Sequence, residues 1–454
     1  MKSKFWLGMF MAAAMCSNAC AHDIFEALSA AYTTNPSLKA QRAYARAVDE
    51  DVSIAKSGYR PTMYLTAGYS EADKSANTLA AASGRDTRGK ALGAVVSQPV
   101  FSGFSTVNSV KAADSYARAE LYNLANVEQN ILLSGATAYL DVLRDAMIVE
   151  LQRNNENLLK KRLDETRERF NVGELTRTDV SQSEARYSQA KASRISSEGD
   201  LEASRSEYVQ IIGMDPVELE EPETIISLVP ANIEEVLSFA RDHNFEILQA
   251  KHIMESREHE VNANTGALLP QVSLDGAATK NRGYVNGVHG ETDVESLEWS
   301  VNLRVPLYDA GADRAKIRRS KYQKWQAQEL VLVTERQVTS DITSYWEYLL
   351  ANSARITAII DQTKANEIAL DGVQKEESVG NRTVLDVLDA YQELLNSKVE
   401  EVKARRDYYL SAMQLLLSMG KLTAKDLNLS VELYNAKEEY KETRDRWIST
   451  SINK

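Results

Sequence analysis

Asp386 and Asp389 are the residues whose type and spacing most invite a chemical role. Side chains three positions apart on a helix share a face, so the pair concentrates negative charge at one spot. Solvated helix caps and surface charges are the plainer account of two such aspartates. His252, Glu255 and His259 also fall on one helix face and are of types that hold a metal. A solvated amphipathic face explains them better, and no metal or cofactor is expected. No nucleophile sits with a base, no phosphate-binding loop is present, and both cysteines, Cys16 and Cys20, lie before His22. An enzyme is therefore not expected. A net charge of −12 without a run of Lys and Arg also argues against a nucleic-acid partner.

The two aspartates belong to a stretch that interrupts a very long helical pattern. From Val379 to Asp389 the chain reads V-G-N-R-T-V-L-D-V-L-D. Gly380 supplies the left-handed backbone freedom that ends one helix, Asn381 and Thr383 favour turns and caps, and Leu385, Val387 and Leu388 resume an apolar pattern. This is the tip of a helical hairpin, spanning 378–389. A second tip, 171–179, carries the same wording: Gly173, Thr176, Asp179 and Val180 match Gly380, Thr383, Asp386 and Val387 at an offset of 207 (380 − 173). A duplicated tip implies a duplicated chain.

With 454 residues, 8 prolines and 7% aromatic residues, the composition suits long helices in a repeat architecture. Residues 1–21 read as a signal peptide cleaved after Ala21, with Lys2 and Lys4 ahead of an apolar run from Phe5 to Met15. The first repeat is 22–229, the second 230–427, and a tail covers 428–454. In the first repeat a helix is predicted from Asp23 to Gly58. A β-hairpin follows over 62–98, where Met63, Leu65, Ala67 and Tyr69 alternate with Tyr64, Thr66, Gly68 and Ser70 around an expected loop from Glu71 to Gly89. A long helix runs from Ser105 to Phe170 with a seam of Leu132, Gly135, Tyr139, Val142, Ala146 and Val149. Helix returns over Thr178 to Ile212, and Glu218, Glu220 and Glu221 read as a solvated linker.

The second repeat copies each step. It has a helix from Ile233 to Gly266, a hairpin over 271–306 with Leu297, Trp299, Val301, Leu303 and Val305 on one face, and a long helix from Ala312 to Glu376. That helix has a seam of Ile342, Trp346, Leu349, Ile356 and Ile360, and a return helix runs from Thr383 to Met419. Asn35 and Pro61 match Asn244 and Pro270 at an offset of 209 (270 − 61), whereas Pro99 matches Pro306 at 207 (306 − 99). The two hairpins thus differ by a net two residues.

Strands of about 9 to 11 residues with one apolar face are long enough to cross a membrane at a tilt. Four strands cannot close a barrel. Two copies would give eight strands with a filled interior, and three would give twelve with room for water. Helices of roughly 100 Å, at about 1.5 Å per residue, would continue such a barrel as a tunnel and make a conduit out of the cell envelope. An exported, non-transporting coiled-coil stalk or adhesin is the alternative from another class. A passive porin fits less well, because porins lack such helices.

The duplicated order of helix, hairpin, helix, tip and helix, Asn35-Pro36, the strand exits P-V-F-S-G and P-L-Y-D-A-G, and both V-G tips resemble the TolC family of outer-membrane factors. The tail, with Tyr434-Asn435-Ala436-Lys437 and Tyr440 to Trp447, is similar to those of type I secretion and BepC-like efflux members. The resemblance implies a mainly α chain with a small β part: long antiparallel coiled-coil helices forming a periplasmic α-barrel, and four strands per chain in a 12-stranded outer-membrane β-barrel of a homotrimer. Implied partners are a periplasmic adaptor, an inner-membrane RND or ABC pump, and outer-membrane lipid. The implied function is an exit duct for drug efflux or protein secretion. By the same resemblance, Asp386 and Asp389 form the periplasmic entrance constriction, Arg382 with Asp179 and Thr178 forms a gate latch between neighbouring tips, and Gly173, Glu174, Leu175, Gly380 and Asn381 face the adaptor. The best-known member of that family has a tyrosine where this chain has Glu377.

Overall fold

The computed structural model describes residues 23–74, 85–285, 291–444 and 446–451; the expected signal peptide lies outside them. In chain order the elements are α1 (Ile24–Thr34), α2 (Pro36–Ser57), β1 (Thr62–Lys74), β2 (Arg85–Ser102), α3 (Ser105–Asn171) and α4 (Arg177–Ile212). After a 3-10 turn at Glu223–Leu228 come α5 (Ile233–His243), α6 (Phe245–Gly266), β3 (Gln271–Val285), β4 (Glu291–Arg304), α7 (Ala312–Ser378) and α8 (Val384–Met419), with α9 (Ala436–Thr443) in the tail. Corresponding helices of the two repeats have equal lengths, of 11, 22, 67 and 36 residues. The duplication read from the tips therefore holds for every helix.

Two expected helices are each split in two. Pro36 lacks the N–H of a helix interior and opens α2 instead, so α1 ends at Thr34. The side chains at this break cap another helix: the Thr34 hydroxyl donates to the Ile212 carbonyl at 2.7 Å, and the Asn35 amide donates to the Ile211 carbonyl at 2.9 Å. Both carbonyls end α4 and have no partner within it. In the second repeat Asn244 caps α6 directly, accepting from the Glu246 and Ile247 N–H groups at 3.0 and 3.1 Å.

The four strands form one antiparallel sheet in the order β1-β2-β3-β4. Strand pairing reaches further than alternation suggested, since Glu71 pairs with Arg88 inside the expected loop and their side chains bond at 2.8 Å. This one opposite-charge pair favours the ladder there, where no apolar alternation marks it. The register places Leu65, Ala94, Ala278 and Leu297 across one row and Met63, Val96, Gly276 and Trp299 across the next, on a common face. Trp299 lies over Gly276, where an added Cβ would sit 2.6 Å from the indole. The opposite face carries Thr66, Gly93, Thr279 and Ser296, and beside them Asp275 accepts from Ser97, Ser273 and Asn302 at 2.5, 2.7 and 2.6 Å. One side carries an apolar band that gives way to Lys280 and Glu295 in the row of Ala67 and Leu92, and the other side is largely polar.

The chain divides into two compact units, each drawing on both repeats. The first comprises Met1–Asn35, Glu128–Glu235 and Ile342–Glu432. Its core contains Ile24, Leu28, Tyr139, Tyr208 and Ile212 from three helices. Of the expected seam, Leu132, Tyr139, Val142 and Val149 are buried, but Ala146 is exposed and Asp145 is buried beside it. Arg144 donates to Asp145 at 2.7 Å and the Ser204 hydroxyl also bonds to it, so the carboxylate is compensated. In the acidic stretch Glu218 and Glu220 are exposed, as expected of a solvated linker, but the stretch is also tied down. Glu221 accepts from Arg405 at 3.2 Å, and the backbone of Glu220 both accepts from the Tyr139 hydroxyl at 2.8 Å and donates to it at 2.9 Å. Tyr139→Phe removes that hydroxyl from a fully buried position and strands two backbone groups, at a cost of about 1–3 kcal/mol. A lowered thermal midpoint with unchanged helix content would report it.

The second unit comprises Pro36–Val127, Val236–Asp341 and Leu433–Lys454. It holds the sheet, the short helices α2 and α6, and the tail. Val48, Val52 and Ala117 form a buried cluster, against which Ala113 and Tyr440 pack.

Candidate functional site: the paired tips

Each tip is a helix stop followed at once by a helix start. Gly173 and Gly380 have φ of +84° and +82°, in the left-handed region that costs glycine least. Around Gly173 the N–H of Glu174 bonds back to Arg169 O at 2.9 Å, and around Gly380 the N–H of Asn381 bonds back to Glu376 O at 2.9 Å, the wrap-around closure of a helix C-terminus. Three residues later a threonine caps the returning helix. Thr176 N–H donates to Asp179 at 2.9 Å and Thr383 N–H donates to Asp386 at 2.8 Å, while each threonine hydroxyl accepts from the aspartate N–H at 3.3 and 3.2 Å. Both are reciprocal capping boxes. The repeated G-x-x-T-x-x-D is therefore first of all a folding signal.

That places the expected site residues. Asp386 holds its cap, and the backbone N–H of Thr383, its hydroxyl and nearby Arg382 lower the carboxyl's pKa below the usual carboxylate value. Its capping contribution is accordingly present above the unfolded pKa and is lost only as pH falls through the depressed one. Asp389 bonds to Arg186 of α4 at 2.5 Å, so its charge is shared with the first repeat. Arg382 reaches Glu376 of its own tip at 2.8 Å, and Asp179 serves as a cap, so within one chain the two do not meet. Thr178, Glu174, Gly173, Gly380 and Asn381 are exposed and Leu175 is half-buried. Beside the glycines, Val172 and Val379 are exposed at equivalent positions.

The strongest link between the tips joins residues that spacing did not pair. Arg169, at the end of α3, donates to Glu377, at the end of α7, at 2.5 Å, and also bonds Glu174 at 3.2 Å. Glu377 is buried with 10% of its side chain exposed, against 40% for Arg169. The bond to Glu377, ahead of that to Glu174, raises the arginine's pKa. Beneath this pair, Leu159, Ala190 and Leu388 form a buried apolar cluster joined by Leu158 and Val384. One sequence signal was available: at the offset of 207, Arg169 corresponds to Glu376 (376 − 169), so the two tips carry opposite charges at the same place.

Elsewhere, His252 bonds to Glu255 at 3.0 Å and stacks on Tyr122 at 5.4 Å. Among the described residues no group of three or more His, Cys, Asp or Glu could hold a metal. No described helix is long and apolar enough to cross a membrane.

Comparison with known proteins agrees with this geometry. The chain is 35% identical to the outer membrane efflux protein BepC of Brucella suis over 422 residues, covering 93% of this chain and 90% of the relative. It is 23% identical to the outer membrane protein TolC of Escherichia coli over 418 residues, covering 90% and 84%. Its fold is that of the Campylobacter jejuni CmeC outer membrane channel, with a TM-score of 0.78 at 14% identity over 93% of this chain and 89% of that one. The sequence pattern of outer membrane efflux proteins matches residues 27–214 and again 236–421, one match for each repeat. Matched in both halves and built on the same strand and helix order, this chain belongs to the outer membrane efflux protein family.

Proposed function

We propose that three copies of this chain form an outer-membrane exit duct that a periplasmic adaptor and an inner-membrane RND or ABC pump open at the paired tips, for drug efflux or type I protein secretion. The observation that carries the reading is the sheet. Its four strands share an apolar band on one face, and β1 and β4 each have a strand partner on one side only. Edges of that kind require further strands, and twelve close a barrel wide enough for water. Residues 1–21 would be the export signal, cleaved after Ala21, and 22–229 and 230–427 the two repeats.

At the tips, three copies bring six carboxylates of Asp386 and Asp389 around one axis, a constriction that attracts cations and disfavours anions. Arg382 lies beside it on an exposed arm, and contact with Thr178 and Asp179 of a neighbouring copy would add a latch to the Arg169–Glu377 bond within each chain. Exposed Val172 and Val379 with the flanking Gly173, Glu174, Leu175, Gly380 and Asn381 offer the adaptor an apolar, backbone-rich edge.

Planar-bilayer conductance of the detergent-solubilised protein, beside Asp386→Ala with Asp389→Ala, tests the reading. A small cation-selective conductance in the wild type that loses its selectivity in the double variant is the expected outcome. A soluble elongated particle with no conductance would instead identify a non-transporting stalk.

A further inference from the structure

The tail leads its last described residues to the edge of the sheet. Tyr434 receives a bond from Arg46 at 3.3 Å and the Arg42 guanidinium lies 5.1 Å from its ring, which fixes the tail's start on α2. Further along, Ser53 donates to Thr443 O at 3.1 Å and Lys56 donates to Arg444 O at 3.2 Å. Arg60, one residue before Pro61 and two before β1, then stacks on Trp447 with its guanidinium 5.4 Å from the ring. The tail thus runs beside α2 in the same direction as α2, and ends where helix gives way to strand.

What it carries there is out of keeping with a water-exposed end. Trp447 is 68% exposed and Ile448 is 86% exposed. At the same end of the sheet, Tyr59 before β1, Phe104 after β2, and Leu307 and Tyr308 after β4 are exposed as well. The apolar face of the sheet begins from these positions. An indole with an adjacent guanidinium matches the boundary between headgroups and acyl chains, where the ring meets the chains and the cation meets phosphate.

We propose that the tail is a membrane-surface anchor: Trp447 and Ile448 enter the phospholipid interface on the helical side of the membrane, and Arg60 meets the headgroups. This rests on the reading that the sheet crosses the outer membrane. The partner is the lipid surface itself, because the indole and its guanidinium stand at the end of the sheet where Tyr59, Phe104, Leu307 and Tyr308 are also exposed.

Two variants separate the proposal from that reading. One keeps Trp447 with Trp6, Trp299, Trp325 and Trp346 changed to Phe; the other keeps Trp299 with Trp6, Trp325, Trp346 and Trp447 changed to Phe. Each is reconstituted into phosphatidylcholine and phosphatidylglycerol vesicles brominated either near the headgroup or deep in the chains. Trp447 is expected to lose about half of its emission to the shallow bromines and much less to the deep ones. If Trp299 is quenched while Trp447 emits as an unquenched, water-exposed indole, the anchor is overturned and the spanning sheet stands. Quenching of neither overturns both. Should a multiply substituted protein fail to fold, wild type minus Trp447→Phe gives the same depth reading.

Discussion

Arg169→Ala is expected to leave the channel leaky, with a raised single-channel conductance and increased uptake of a large antibiotic. The substitution leaves Glu377 as a mostly buried carboxylate without its nearest cation, whereas Arg169 itself is partly solvated and keeps Glu174 when Glu377 is lost. Arg169→Ala should therefore exceed Glu377→Ala in effect. Discounted for the exposure of the arginine, the loss is about 1–2 kcal/mol per chain. In the proposed trimer, with three chains opening together, it is about 3–6 kcal/mol, which shifts the balance toward the open form by a factor of more than about 100. Exchanging the two, Arg169→Glu with Glu377→Arg, should restore most of the closure. Unchanged conductance in Arg169→Ala would remove this pair from the gate.

Gly103→Ala is expected to prevent assembly. Gly103 has φ of +62°, and a Cβ there would lie 2.2 Å from Gly266 O and 2.9 Å from Leu269 Cβ. The close partner is backbone at the end of α6, so relief requires moving the chain where it enters β3. Strain and displacement together reach about 3 kcal/mol or more, among the larger effects of a single substitution. Gly311 supplies the control. It too follows a strand, with φ of +87°, but nothing lies within 4 Å of its Cβ position. Gly311→Ala should cost only the left-handed backbone preference, about 1–2 kcal/mol. Heat-resistant trimers on gel electrophoresis should be absent for Gly103→Ala and present for Gly311→Ala; equal trimer yields would show that the Gly266 approach can relax.

The fold was legible because its signals are written twice. A glycine and a capping threonine located each tip to within a residue or two, and strand alternation located each hairpin. The breaks at Asn35 and Asn244 were not legible, because a one-residue interruption leaves the helical period of the flanking apolar residues almost in phase. Asp145 in the buried seam could not be foreseen either: its acceptability depends on Ser204, 59 positions away, and burial without that partner would be costly. At the tips, types and spacing singled out the aspartates but not their structural duty as caps or, for Asp389, its bond to Arg186. Glu377 stood out only against the family's best-known member, and its partner lies 208 positions distant.

The equal helix lengths bear on how a gene for such a chain can change. One residue inserted into α3 would turn everything beyond it by about 100° and carry a buried seam round to the solvent. Repair would need a matching insertion in the helix packed beside it. The hairpins face no such demand, since residues added as a cross-strand pair lengthen the ladder and preserve its faces. The offset between the repeats shows this history: it changes from 209 at Pro61 to 207 at Pro99, two residues, and every helix on either side keeps its length. Natural length variation in this chain's lineage should gather at the strand turns, leaving the helices to diverge by substitution alone.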